Sequence, residues 1–320
     1  MFRKLYEADE MAKLKRVQAI MRSYLAAKRA NAAKYGCYEF KEFHINESCS
    51  TSEYVDRVMA QYGGYKYDTS KSLNARYNDK QRVFKGKSVQ ENGAEYQGEH
   101  DKETGARHGM GTMVWADGAR YDGWWRNDRA NGPGRLIMAS GDMYDGEWIN
   151  DRANGHGHYI HYRGTEYEGQ WHNDLQHGEG RETFPDGSTY TGQFRLGKKY
   201  GSGKFEWPDG SKYEGGFENN IMNGKGEYTW ADGRGYNGDW VDGQMHGTGV
   251  FQWEDGRRYE GEYQRDQKHG EGTFYWQDGR KYVGQWSNGK QHGRGVYTTA
   301  SGESREGIWK DGNRQSWVDE

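Results

Sequence analysis

Histidine recurs at His108, His177, His246, His269 and His292 and clusters at His156, His158 and His161, so a metal site is the first chemistry to weigh. Gly-x-Gly dipeptides recur through the same stretch, and Gly201-Ser202-Gly203-Lys204 resembles part of a phosphate-binding loop. Each chemistry demands a particular element around it. A dinucleotide or phosphate loop must follow a strand and open a helix whose N-terminus meets the anion. Here a second strand follows, and the Gly201 segment lacks both the upstream glycine and a Ser or Thr after its lysine. Neither Gly-x-Ser-x-Gly nor His-Glu-x-x-His occurs.

The elements come from a 23-residue period. Tyr-x-Gly stands at Tyr121, Tyr144, Tyr167, Tyr190, Tyr213, Tyr236, Tyr259 and Tyr282. One copy precedes these at Tyr96 and one follows at Arg305, giving ten repeats. Taking the tyrosine as offset 0, glycine sits at offset 2 and a ring at offset 4: Trp125, Trp148, Trp171, Phe194, Phe217, Trp240, Tyr263 and Trp286. Alternate side chains of a strand share a face, so these three positions line one side. Turn formers at offsets 6 and 7, such as Asn127-Asp128 and Asn219-Asn220, reverse the chain with positive φ. The return strand carries Gly-x-Gly at offsets 11 and 13, then large groups at 15 and 17, as in Phe205 and Trp207 or Phe251 and Trp253. A second turn, Asp-Gly at Asp186, Asp209, Asp232, Asp255 and Asp278, leads to the next tyrosine.

Period-2 alternation excludes helical repeats. Glycines leave bare backbone beside each ring, on which a neighbouring ring can lie flat. The opposite face, acidic at offset 1 (Asp122, Asp145, Glu168, Glu214, Glu260, Glu306), reads as solvated. At roughly 4.8 Å per strand, ten hairpins predict a thin rod on the order of 90–100 Å long. Equivalent histidines of adjacent repeats then lie roughly 9–10 Å apart, whereas zinc-ligand nitrogens stand within about 3.5 Å of one another, so the offset-10 array reads as turn support. His156 and His158 point to one face and His161 to the other. Neither a metal nor a cofactor is expected.

Tyr-x-Gly-x-Trp followed by His/Asn-Gly-x-Gly and Asp-Gly resembles the MORN (membrane occupation and recognition nexus) repeat over residues 96–312. The resemblance implies a solenoid-like, single-layer antiparallel sheet with a concave groove. It also implies the company such repeats keep: ciliary spoke-head and cytoskeletal scaffolds, membrane-junction tethers, and appendages of some kinases and methyltransferases. His100 in place of the first ring, and Asn313 onward without His-Gly-x-Gly, read as caps on open sheet edges.

Composition agrees with a shallow core. Phe, Trp and Tyr number 48 against seven Leu, seven Ile and 11 Val, and all 13 tryptophans lie beyond residue 91. No apolar run exceeds four residues, well short of a signal peptide or membrane span, and Cys37 and Cys49 supply no disulfide framework. An intracellular protein is expected.

Residues 1–91 hold 18 basic and 11 acidic residues, residues 92–320 hold 27 and 37. We divide the chain into a basic amphipathic helix (1–34), an extended arm with a short helix at 52–62 (35–91), and the repeats (92–320). In the first helix Val17, Gln18, Met21, Arg22, Leu25 and Lys28 resemble the opening of an IQ motif. Binding by a calmodulin-like EF-hand protein, docking on protein, and membrane-surface or organelle-targeting use are the competing readings.

The expected fold is mainly β, an elongated single-layer antiparallel sheet of hairpins preceded by an α-helix and an arm. The expected function is a non-catalytic scaffold that binds a helix or extended segment along its aromatic groove in a large eukaryotic assembly, with the ciliary axoneme or cytoskeleton first. Pairing of two copies through the C-terminal edge is a further expectation. The rival is a peripheral binder of acidic lipid, which the acidic repeats oppose. The same acidity argues against specific nucleic-acid binding.

Overall fold

The computed structural model describes residues 51–67 and 81–318. The protein is mainly β: 21 strands in antiparallel hairpins, with one helix, α1 (Glu53–Tyr62), among the described residues. The described residues fall into two compact units, 51–185 with Arg195–Gly197 and Asp186–Phe194 with 198–318.

The N-terminal unit holds β1 (Arg82–Val89) to β9 (Leu175–Thr183). From the second repeat on, the first turn has both central residues at positive φ, 48° and 64° at Asn127-Asp128 and 50° and 65° at Asn150-Asp151, as a two-residue hairpin requires. Register follows: β6 (Met143–Ile149) pairs with β7 (Arg152–Ile160) through Tyr144↔Tyr159, Asp145↔His158 and Gly146↔Gly157. A bulge follows between Gly146 and Trp148.

The offset-7 residue fastens each hairpin to the one before. In the N-terminal unit Asp151 accepts from the Ala130 N–H at 2.6 Å while its own N–H donates to the Ala130 carbonyl at 2.9 Å. In the C-terminal unit Asn220 does the same for Lys199 (2.7 and 3.1 Å), and Asp266 for Met245 (2.8 and 3.0 Å). Asp266→Ala strands the Met245 N–H and is expected to cost about 1–2 kcal/mol in chemical denaturation. Asp266→Asn keeps the acceptor, as Asn220 shows, and is expected to cost less than half of that.

The solvated face predicted for offsets 1 and 3 is open in the C-terminal unit, where Glu214, Asn237 and Glu260 are exposed. In the N-terminal unit part of it is covered, while Glu147 and Glu168 stay exposed. Residues 51–67 lie across it: Val55 packs on Ile137, Met143 and Ile160, joined by Val58 and Met59. Ser52 caps α1 by accepting from the Val55 N–H and donates through Oγ to the Ala139 carbonyl at 3.3 Å. Arg135 donates to the Gly63 carbonyl at 2.8 Å and pairs with Asp145. Asp122, read as solvated, is 4% exposed and held by Arg120 at 2.6 Å.

Both sheet ends are blunted. Residues 82–89, assigned to the arm on composition, form β1 and pair with β2 (Glu95–Asp101), and His100 takes the first ring's place edge-on to Tyr96 at 5.1 Å. Burial lowers the His100 pKa to about 4, so the ring is neutral there. At the other end β21 (Asn313–Trp317) pairs with β20 (Ser304–Lys310), and Trp317 packs against Trp309 at 6.2 Å.

Candidate functional site

Offsets 0, 2, 4, 13 and 15 share one face, and their contacts explain the period. Each repeat tyrosine lies over the return-strand glycine and donates its hydroxyl to the offset-3 carbonyl of its own strand, as Tyr144 to Glu147 and Tyr213 to Gly216, at 3.0 and 2.9 Å. Each offset-4 tryptophan donates to the offset-13 glycine carbonyl of the repeat before, as Trp148 to Gly134 (2.8 Å) and Trp240 to Gly226 (3.0 Å). Tyrosine and tryptophan alternate edge-to-face. In the N-terminal unit Tyr121 meets Trp125 at 5.0 Å and Trp148 at 5.5 Å. In the C-terminal unit Tyr259 meets Tyr263 and Trp286, both at 5.2 Å. Burial drives the pKa of Tyr213, Tyr236 and Tyr259 far above the phenolic range and that of Tyr282 to about 12, so these hydroxyls remain donors.

The eight rings assigned to the groove, Trp125, Trp148, Trp171, Phe194, Phe217, Trp240, Tyr263 and Trp286, are all on this face, and none is more than 7% exposed. They form its floor. What the C-terminal unit presents above them is the offset-17 row, Trp207, Trp230, Trp253 and Trp276, each half-buried. Trp207 stacks between Phe205 (4.5 Å) and Tyr228 (5.3 Å), and Trp230 between Tyr228 (4.5 Å) and Phe251 (5.3 Å). Trp253 and Trp276 repeat the arrangement beside Phe274 and Tyr297. The sequence assigns partner binding to the offset-4 rings, and it is the offset-17 row that reaches the surface. The signal lay in the neighbours: an offset-4 ring has a glycine carbonyl and a tyrosine on hand, whereas the offset-17 ring stands at the strand end, next to the Asp-Gly turn.

Cations flank this row. Arg234, Arg257 and Arg280 reach over Trp230, Trp253 and Trp276 at 5.5, 5.4 and 5.5 Å while pairing with Asp232, Asp255 and Asp278. The arginine beside each of these three carboxyls holds its pKa down.

His177 lies beside His172, with ring centroids 5.7 Å apart. His158 contacts Glu166 on the outer face, His161 lies near Asp142, and Nδ1 of His292 receives the Asp311 N–H at 3.5 Å in the turn-supporting role. Among the described residues no group of three or more His, Cys, Asp or Glu converges as a metal site, and no helix is long and apolar enough to cross a membrane. Val17, Gln18, Met21, Arg22, Leu25 and Lys28 lie outside the described residues.

Ring-over-glycine hairpins on a fixed period define a β-repeat protein. The chain belongs to the MORN-repeat family, whose model matches residues 105–120, 121–143, 144–166, 167–189, 190–212, 213–233, 236–257, 259–279 and 282–304. The repeat is in general a non-catalytic module. No curated protein matches the chain in sequence.

Among solved structures it is similar to the TCP domain of SAS-4 (dCPAP) from Drosophila melanogaster, in complex with a proline-rich motif of Ana2. Identity there is 14% over 55% of this chain and 90% of that one, at a TM-score of 0.29. It is also similar to the TCP10 domain of Danio rerio CPAP, in complex with a peptide of STIL. Identity is 15% over 70% and 97%, at a TM-score of 0.22. Both fall below a TM-score of 0.5 and carry no functional weight.

Proposed function

We propose that the protein is a non-catalytic scaffold whose C-terminal unit takes a helical or extended segment of another protein along the offset-17 tryptophan row. The observation that carries this reading is the partial exposure of Trp207, Trp230, Trp253 and Trp276 above a buried ring floor. Rigid rings of this kind bury large area on contact with little loss of side-chain freedom. Each is braced by further rings at 4.4–5.5 Å, with Tyr297 at 6.0 Å from Trp276, so the row is ordered before a partner arrives. The setting we propose, by resemblance to other proteins with such repeats, is a cytoskeletal or ciliary assembly. Within the C-terminal unit the floor rings Phe194, Phe217, Trp240, Tyr263 and Trp286 support that surface from below.

The test uses the full chain, tagged in its own cell, with Trp207→Ala and Trp230→Ala combined. Both rings are half-buried, so the variant is expected to stay folded by circular dichroism. Its bound neighbours, quantified by mass spectrometry, are expected to fall about tenfold, as for loss of a central aromatic pair. An unchanged set of neighbours would contradict the reading.

A further inference from the structure

Lys268 stands at offset 9 of its repeat, on β17 (Gln267–Tyr275), opposite Tyr263 of β16 (Arg258–Gln264), and its side chain rises from the ring face. Its Nζ lies over four rings: Phe274 at 4.8 Å, Trp253 at 5.0 Å, Trp286 at 5.1 Å and Tyr259 at 5.3 Å. An ammonium carries three donors, and rings satisfy its charge only in part. Among the described residues no carboxylate pairs with it and no oxygen accepts from it. Of the row's carboxylates, Asp255 pairs with Arg257 at 2.7 Å. Burial, reinforced by Arg257, lowers the pKa of Lys268 to about 8, so the fold works against the charge it holds.

The fold has no need of that charge. Methionine occupies the equivalent position in the two preceding repeats: Met222 opposite Phe217, and Met245 opposite Trp240. Lys199, at the same offset further back, lies over Tyr190 at 5.1 Å, whereas the strand carboxylates at offset 1, Glu214 and Glu260, point to the opposite face.

From this geometry we infer that Lys268 is the anchor for an acidic side chain of the segment bound on the tryptophan row, its ammonium pairing with one carboxylate inside the ring box. The inference rests on the binding face proposed above and specifies its partner as an acidic protein segment. A bilayer is disfavoured: residues 92–320 carry 37 acidic against 27 basic residues, which oppose a sheet of anionic headgroups while leaving room for one carboxylate at one lysine.

The experiment is fluorescence anisotropy on the full chain with a labelled short poly-glutamate peptide, its poly-glutamine counterpart, and vesicles of phosphatidylserine. The wild-type chain is expected to prefer poly-glutamate. Lys268→Met is expected to remove that preference with a roughly tenfold loss of affinity, at unchanged or raised thermal stability, since methionine already fits there twice. Lys281→Met, which removes an exposed charge from the outer face, controls for net charge and is expected to leave the affinity unchanged. No preference for poly-glutamate, an equal effect of both substitutions, or binding to the vesicles alone would each overturn the inference. A failure here beside a retained effect of the Trp207 and Trp230 pair on bound neighbours would leave the binding face standing and remove only the acidic anchor.

Discussion

Gly226→Ala is expected to cost about 3 kcal/mol, although it adds one methyl group. The new Cβ would lie 2.6 Å from Cε2 and Cζ of Tyr213, a ring with no exposed surface that is fixed at its far end by the hydroxyl bond to Gly216. The tyrosine cannot retreat, because Phe217 and Trp240 stand edge-on to it at 5.2 and 5.4 Å. Neither can the methyl, because the strand is paired on both sides. Gly235→Ala is the control: its Cβ would meet nothing closer than the Tyr228 carbonyl at 3.8 Å, and a change within about 0.5 kcal/mol is expected. Urea denaturation of the two variants separates a demand for bare backbone from a general aversion to side chains in glycine-rich strands.

Trp240→Ala is expected to cost about 3–5 kcal/mol, the range for emptying a fully enclosed aromatic site. The indole is 1% exposed, donates to the Gly226 carbonyl, and touches Tyr213 and Tyr236 at 5.4 and 5.2 Å. Its removal unsettles the rings of two repeats at once. Trp240→Phe is the informative companion, since Phe194 and Phe217 hold the same offset in this unit. It keeps most of the ring contact, forfeits the hydrogen bond, and is expected to cost about 1–2 kcal/mol. A phenylalanine variant as damaged as the alanine one would mean that the indole N–H, rather than ring burial, carries the site.

The hairpins, their turns and the pairing of rings with glycines were legible because each is local. Asn127-Asp128 and its equivalents announce positive φ, and alternate positions must share a face. Two things were not legible in the same way. Exposure within the ring face depends on which backbone lies opposite: Trp240 finds a glycine carbonyl across the strand pair, whereas Trp207 stands at a strand end. The covering of the outer face in the N-terminal unit depends on a contact between Val55 and strands beyond residue 129, which no periodicity encodes. A trace of it was present in residue types. Ile137, Met143 and Ile160 are apolar where later repeats place Glu206, Lys212 and Gln252. Acidity at Asp122 concealed it, since a carboxylate held by Arg120 can be buried as readily as a free one is solvated.

The division of the tryptophans into floor and row is the claim on which function depends, and chemical footprinting reads it directly. Mild oxidation of the folded full chain, followed by peptide mass spectrometry, reports each indole separately. Trp207, Trp230, Trp253 and Trp276 are expected to react first, while Trp148, Trp171, Trp240, Trp286 and Trp309 stay protected until the protein unfolds. Equal reactivity in the two sets, or faster loss of the second, would contradict the account.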